Sequence, residues 1–256
     1  MEDCIKRTPT DDDVMVRPDW ESFAHPNLNG IRGVMMKRKT ALVVGATSLV
    51  GKELVKILIA AEEYEKIIVW VRRPLGINHR KLEEKKIDFE RLATYEIDEG
   101  IDHLYCCLGT TIKKAGTKEA FKVVDFGYPL LLAKKAKEAR VHQFIIISSM
   151  GAAVNSRSFY SRTKGEMEEA LKELDLVGLH IVRPSLLLGK RGEVRIGEQI
   201  AKVLTSLVSF IFISFLEKYK PISAKVVAGA MYRVANQELT GNHIYESDRL
   251  VVLNKG

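Results

Sequence analysis

The sequence predicts an α/β protein of the doubly wound class, a parallel sheet with helices on both faces. Three observations carry this. From Lys39 onward, short β-branched runs alternate with segments of helical period; the runs show no in–out alternation; and a small-residue turn joins the first run to the first helix. Strands without alternation are buried on both faces, as a helix-covered parallel sheet requires. Strand–helix alternation at this spacing reads as a doubly wound sheet.

The elements follow in order. Thr40–Val44 is the first strand, and Leu54, Ile57, Leu58 and Ala61 recur at helical spacing after it. Ile67–Val71 is the second, with a short third strand expected near Ile87. His103–Cys107 precedes a long helical stretch from about Lys118 to Arg140, where Leu131 and Ala136 can pack. Phe144–Ser148 precedes a second helix containing Tyr160 to Leu174, and Leu179–Val182 follows it. After Gly189 the regular alternation lapses, until a helix around Ala224–Asn236 and a strand-like His243–Ser247.

With 256 residues, 46% of them hydrophobic, the chain has material for one large core. Residues 1–36 are rich in Asp, Pro and Asn and show no period, so they read as a flexible leader, a non-native extension, or sequence upstream of a start at Met35 or Met36. Residues 37–256 form the body, with a C-terminal substrate or cap region from about residue 189. That region holds the apolar run Thr205–Leu216, whose 12 residues fall short of a membrane span, for which about 20 are needed. It reads as a buried helix against the sheet edge, with an apolar substrate cap, a membrane-touching surface or a dimer surface as the alternatives, and cap or packing is favoured over membrane.

The net charge is +7, with −3 in residues 1–36 and +10 in the rest. A basic body suits an anionic cofactor as well as nucleic acid. Nucleic-acid binding is disfavoured, because no helix-turn-helix, zinc-finger spacing or aromatic–basic pattern accompanies the charge. Three cysteines, Cys4, Cys106 and Cys107, form no framework, which points to a reducing cytoplasm. The six histidines form no ligand set, so no metal is expected.

The turn lies in VVGATSLVGKEL, Val43 to Leu54. A triphosphate loop would need its first glycine at Ala46 and a hydroxyl at Glu53, and both fail. A dinucleotide turn fits better. Gly45 ends the strand, Gly51 lets the helix pack closely, and the backbone N–H groups of Thr47, Ser48, Leu49, Val50 and Gly51 can hold a pyrophosphate. Ser48 takes the middle position, where glycine is usual, and its hydroxyl could donate to phosphate. After the second strand stand Arg72 and Arg73, in place of the acidic residue of an NAD site. Two guanidinium groups suit a 2′-phosphate, which points to NADP(H).

Tyr160 and Lys164 are four residues apart, so they share a helix face. A nearby cation favours phenolate, making Tyr160 usable as an acid or base. Ser148, at the C-terminal end of a parallel strand and twelve residues before Tyr160, faces the ligand crevice. Ser148 would position a carbonyl oxygen, Tyr160 would protonate it, and Lys164 would tune Tyr160 and bond the nicotinamide ribose. A bound cofactor would supply hydride.

The set VVGATSLVG, VRRP, IDFERL, CCLGTTIKKAG, VVDFGYPLLLAKKA, FIIISSMGA, YSRTK and VRPSLLLG resembles an atypical short-chain dehydrogenase/reductase. Within that superfamily it is most similar to the Tat-interactive protein family and its bacterial relatives, from about Lys39 to Ser247. The resemblance implies an NADPH-binding Rossmann domain, with Asp88 and Phe89 near the adenine and Leu108, Gly109 and Thr110 against the cofactor. It implies Ser148, Tyr160 and Lys164 at the reaction centre, with Pro184 and Ser185 beside the nicotinamide. Two departures stand out: Ser48 in the turn, and Asp125 where ordinary short-chain reductases carry a helix-bending Asn for proton relay. Ser149 competes with Ser148 as the carbonyl partner, and spacing to Tyr160 favours Ser148.

The expected activity is NADPH-dependent reduction of a small, apolar carbonyl compound. The alternative is an NADPH-binding regulatory module with protein partners and little turnover. Whether the chain also binds a protein or pairs with a second copy stays open. No GxSxG elbow or kinase signature set supports other chemistries.

Overall fold

The computed structural model describes residues 38–188 and 220–255. The expectations for residues 1–36 and for the run Thr205–Leu216 lie outside the described residues.

A seven-stranded parallel sheet organises the chain, in the order β3-β2-β1-β4-β5-β6-β9. Its strands are β1 (Lys39–Val44), β2 (Tyr64–Val71), β3 (Leu82–Lys86), β4 (His103–Cys106), β5 (Gln143–Ile147), β6 (Gly178–Arg183) and β9 (Gly241–Glu246). Strand order reverses at β1/β4, so the crevice beyond their carboxyl ends is the expected ligand site.

Alternate residues of each strand serve opposite faces, and the two cores divide accordingly. Ala41, Val43, Ile67, Val69 and Tyr105 pack on α1 (Leu49–Ala60) and α6 (Ala224–Asn236), through Leu54, Leu58, Val227, Met231 and Val234. Leu42, Val44, Ile68, Trp70, Leu104 and Phe144 pack on α4 (Tyr128–Glu138) and α5 (Phe159–Lys172), through Leu132, Ala136, Met167 and Leu171. The adjacent Cys106 and Cys107 fall in different cores, as the strand period requires.

Two elements differ from expectation. β3 ends at Lys86 and reads LEEKK, an edge strand whose charges hide it from an apolar search. The long helix expected from Lys118 to Arg140 is instead α3 (Lys118–Lys122), a π-helical turn over Val123–Gly127, and α4. Pro129, in the first turn of α4, lacks the N–H that would close on the Asp125 carbonyl, and its ring crowds that oxygen. The chain opens into a wider turn, with Tyr128 N–H on the Val123 carbonyl. Beyond residue 220, α6 and β9 complete the main sheet and its cover. A short parallel pair, β7 (Leu187–Leu188) with β8 (Ile222–Ser223), joins the two described segments, and α7 (Ser247–Lys255) follows β9.

Among the described residues, no helix is long and apolar enough to cross a membrane.

Candidate active site

The glycine turn has the close packing its sequence implies. Gly45 takes φ +88°, and a Cβ there would lie 2.6 Å from the Cys107 carbonyl carbon. A Cβ on Gly51 would lie 2.3 Å from the Gly45 carbonyl oxygen. Backbone therefore meets backbone at both positions, forming a cradle that any side chain would fill. Ser48 caps α1, its Oγ accepting from Gly51 N–H at 3.0 Å. The phosphate-contact reading did not foresee this role. Leu49 and Val50 open α1, and the first N–H groups of a helix suit an anion. Val50 itself points into the core, so only its backbone could serve.

Arg72 and Arg73 follow β2 and are exposed. Asp88 caps the 3-10 turn Phe89–Thr94, its carboxylate accepting from Glu90 N–H at 3.0 Å. Phe89 packs against Tyr128, with ring centroids 5.6 Å apart. Burial raises the Tyr128 phenol, Glu90 and Asp88 raise it further, and the charge of Arg72 lowers it. Arg72, Asp88, Phe89 and Tyr128 thus share one end of the crevice. Tyr128 was missed, because YPLLL reads as a plain helix start.

At the centre, Lys164 and Asp125 form an ion pair of 2.9 Å, with side chains 3% and 1% exposed. The second Asp125 oxygen accepts from the Thr110 N–H at 2.8 Å, tying in the Leu108–Thr110 loop. Lys164 also reaches the Ile147 carbonyl, at 3.4 Å, at the end of β5. Burial pulls the Lys164 ammonium down, but the Asp125 carboxylate chiefly offsets it, and the net shift is upward. Tyr160 lies one turn before Lys164 and packs on Phe121, with centroids 5.5 Å apart.

The two serines part company. The Ser148 hydroxyl donates to the carboxylate of Glu168, which is fully buried. Glu168 also takes the Arg183 guanidinium, with Nε at 3.1 and 3.2 Å, and Arg183 reaches Glu246 at 2.8 Å. A hydroxyl has one proton to give, so Ser148 cannot also donate to a carbonyl. That geometry occupies Ser148 with Glu168 and stands against the preference drawn from spacing. Ser149 Oγ is sealed from solvent and has no hydrogen-bond partner among the described residues. Glu168 was also missed, although it continues the Tyr160–Lys164 stripe by one more turn.

Pro184 and Ser185 close the far side. The Pro184 carbonyl accepts from Met150 N–H at 3.1 Å, and Ser185 N–H donates to Ser247 Oγ at 3.1 Å. A separate cavity of about 170 Å³ opens at the opposite, amino-terminal end of the sheet, beside Lys39, Asp102, His142 and Glu238. Lys39 pairs there with Glu238, and His142 Nδ1 lies 4.0 Å from Asp102. Among the described residues, no cluster of three His, Cys, Asp or Glu side chains could hold a metal.

The family profile described as HIM1 matches residues 75–216. Protein FMP52, mitochondrial, of Debaryomyces hansenii is 30% identical over 209 residues, covering 78% of this chain and 89% of that protein. Protein HTATIP2 of Rattus norvegicus is 35% identical over 171 residues, covering 65% and 70%. The human epimerase family protein SDR39U1, solved with NADPH, superposes with a TM-score of 0.54 at 16% identity, over 81% of this chain and 74% of that one. At that identity the likeness shows the fold alone.

The cytoplasmic placement expected from the cysteines is corrected by the FMP52 relatives, whose names are mitochondrial. Unpaired cysteines such as the buried Cys106 and Cys107 report a reducing environment, not which compartment supplies it. The parallel sheet with its glycine turn, the HIM1 match and the long FMP52 alignment agree: the chain belongs to the HIM1 family, similar to the FMP52 and HTATIP2 proteins, and has a Rossmann-type fold like that of the NADPH-bound SDR39U1.

Proposed function

We propose that the protein reduces a small apolar carbonyl compound with NADPH. The observation that carries this reading is Ser149, a sealed hydroxyl without a partner at the carboxyl end of β5, two residues from the carbonyl that Lys164 touches. Native proteins rarely leave such a group unpaired, and a ligand oxygen is the natural acceptor.

In this reading Ser149, in place of Ser148, donates to the carbonyl oxygen. Tyr160 delivers the proton to that oxygen as negative charge develops on it. Lys164 holds its charge beside Tyr160 and turns its remaining N–H toward the nicotinamide ribose. A nicotinamide cofactor, when bound, would supply the hydride. Gly45 and Gly51 give the pyrophosphate room, and the α1 N-terminus holds it. Arg72 and Arg73 favour the 2′-phosphate of NADPH over the bare ribose of NADH. Exposed Ile112, Val123, Val154 and Leu188 lie in the segments that follow β4, β5 and β6, which supports an apolar substrate.

The test is NADPH oxidation with a panel of aldehydes and ketones. Turnover is expected with at least one class, and Tyr160→Phe should abolish it while NADPH binding persists. NADPH binding with no turnover anywhere on the panel would overturn the reductase reading and favour a module acting through its bound cofactor.

A further inference from the structure

We propose that Asp125 is the positioning residue of this site, one carboxylate that locks the cofactor loop and the catalytic lysine into a single unit and fixes the lysine as a cation. The inference rests on the NADPH-binding reading above and goes beyond it.

The geometry starts with the π-helical turn over Val123–Gly127. That turn brings Asp125 inward, to 1% exposure, between the β4 exit and α5. Both carboxylate oxygens are then used. One accepts from the Thr110 amide at 2.8 Å, in the loop that follows β4. The other accepts from Lys164 Nζ at 2.9 Å. The loop follows β4 and the lysine stands on α5, and no other side chain among the described residues is shown bonding to both. A shift of either is felt by the other through Asp125.

The ammonium's surroundings show why the charge matters. Lys164 faces Asp125 from the π turn, Tyr160 from its own helix, Cys106 from the end of β4 and the Ile147 carbonyl from β5. Cys106 is pushed up to about 11, chiefly by burial, so it is neutral through ordinary pH and cannot act as counter-ion. Asp125 is the group left to balance a buried ammonium, and without it burial works against the charge. Of the three ammonium N–H bonds, Asp125 and Ile147 take two, which aims the third at the crevice.

Asp125→Asn separates the two duties. It keeps the size and an acceptor for Thr110 N–H but removes the charge, whereas Asp125→Ala removes both. NADPH affinity, followed by fluorescence titration from pH 7 to 9.5, is expected to stay level in the wild-type protein. In Asp125→Asn it should fall by about tenfold across that range as Lys164 loses its proton, the worth of one charge-assisted hydrogen bond. Adding Lys164→Met should erase the pH step, and Asp125→Ala should bind weakly at every pH.

A level profile in Asp125→Asn overturns the proposal, as does a step that survives in the double variant, which would assign it to Tyr160. If Asp125→Asn does not fold, the double variant should, because its uncompensated ammonium is gone; a double variant that also fails to fold overturns the pairing. A wild-type protein with no affinity for NADPH is a different result, since it removes the cofactor reading itself and the inference with it.

Discussion

Replacing Ser148 and Ser149 separately by alanine sets two adjacent hydroxyls against each other. Ser148 donates to the carboxylate of Glu168, which is buried against Arg183. A hydrogen bond to a charged group contributes about 1.5–3 kcal/mol. At about 2–4 °C per kcal/mol for a chain of this size, Ser148→Ala should lower Tm by about 3–12 °C. Ser149 Oγ has no partner among the described residues, so Ser149→Ala removes an unsatisfied buried atom and should leave Tm level or slightly higher. Its effect should fall on turnover, with a loss of about 10²–10³ in kcat, the scale for one donor to a developing oxyanion. The assays are thermal unfolding by circular dichroism and NADPH oxidation on whichever carbonyl proves active. The reasoning is refuted if Ser148→Ala abolishes turnover at unchanged Tm, or if Ser149→Ala destabilises while turnover stays intact.

Ser48→Ala should cost about 1 kcal/mol through the lost α1 cap and Ser48→Gly only a few tenths, with NADPH affinity nearly unchanged in Ser48→Gly; a clear loss there would make the hydroxyl a phosphate ligand. Gly51→Ala places a Cβ 2.3 Å from the Gly45 carbonyl oxygen. It should cost about 1–3 kcal/mol in urea unfolding and weaken NADPH by more than about tenfold, since the helix start must move. His103 and His180 are held neutral, burial chiefly lowering them to about 3 and about 4 from an ordinary 6.5. The unfolded chain takes up those protons first, so stability is lost as pH falls below about 6.5, by about 1.4 kcal/mol per unit for each histidine. His103→Gln or His180→Gln should flatten this acid slope in urea titrations between pH 6.5 and 4.5, and an unchanged slope would contradict the assignment.

The parts of the fold legible in the sequence were those where one local pattern decides. The double-faced apolar strands announced the sheet, and the glycines and Tyr160–Lys164 announced positions whose spacing alone sets their geometry. What stayed hidden depended on partners distant in sequence. Adjacent serines at a strand end face different surroundings, and only Glu168, reaching over from α5, shows which is occupied. Glu168 itself looked like one more surface acid in GEMEEAL; the available signal was its position four residues after Lys164. The π turn was signalled by Pro129 inside a helical stretch, a residue that breaks helix bonding four positions earlier. β3 was placed only approximately, near Ile87, because an edge strand carries charge where central strands carry apolar side chains. The compartment was misread because thiol chemistry reports redox state, not address.

The most direct test of the account is thermal unfolding of the wild-type protein and the Arg72→Ala/Arg73→Ala variant with NADPH and with NADH. A nucleotide at 100 times its Kd stabilises by about 2.7 kcal/mol, or about 5–11 °C here. The account predicts that shift with NADPH, a smaller one with NADH at equal concentration, and loss of the difference in the double-arginine variant. No shift with either nucleotide would contradict it.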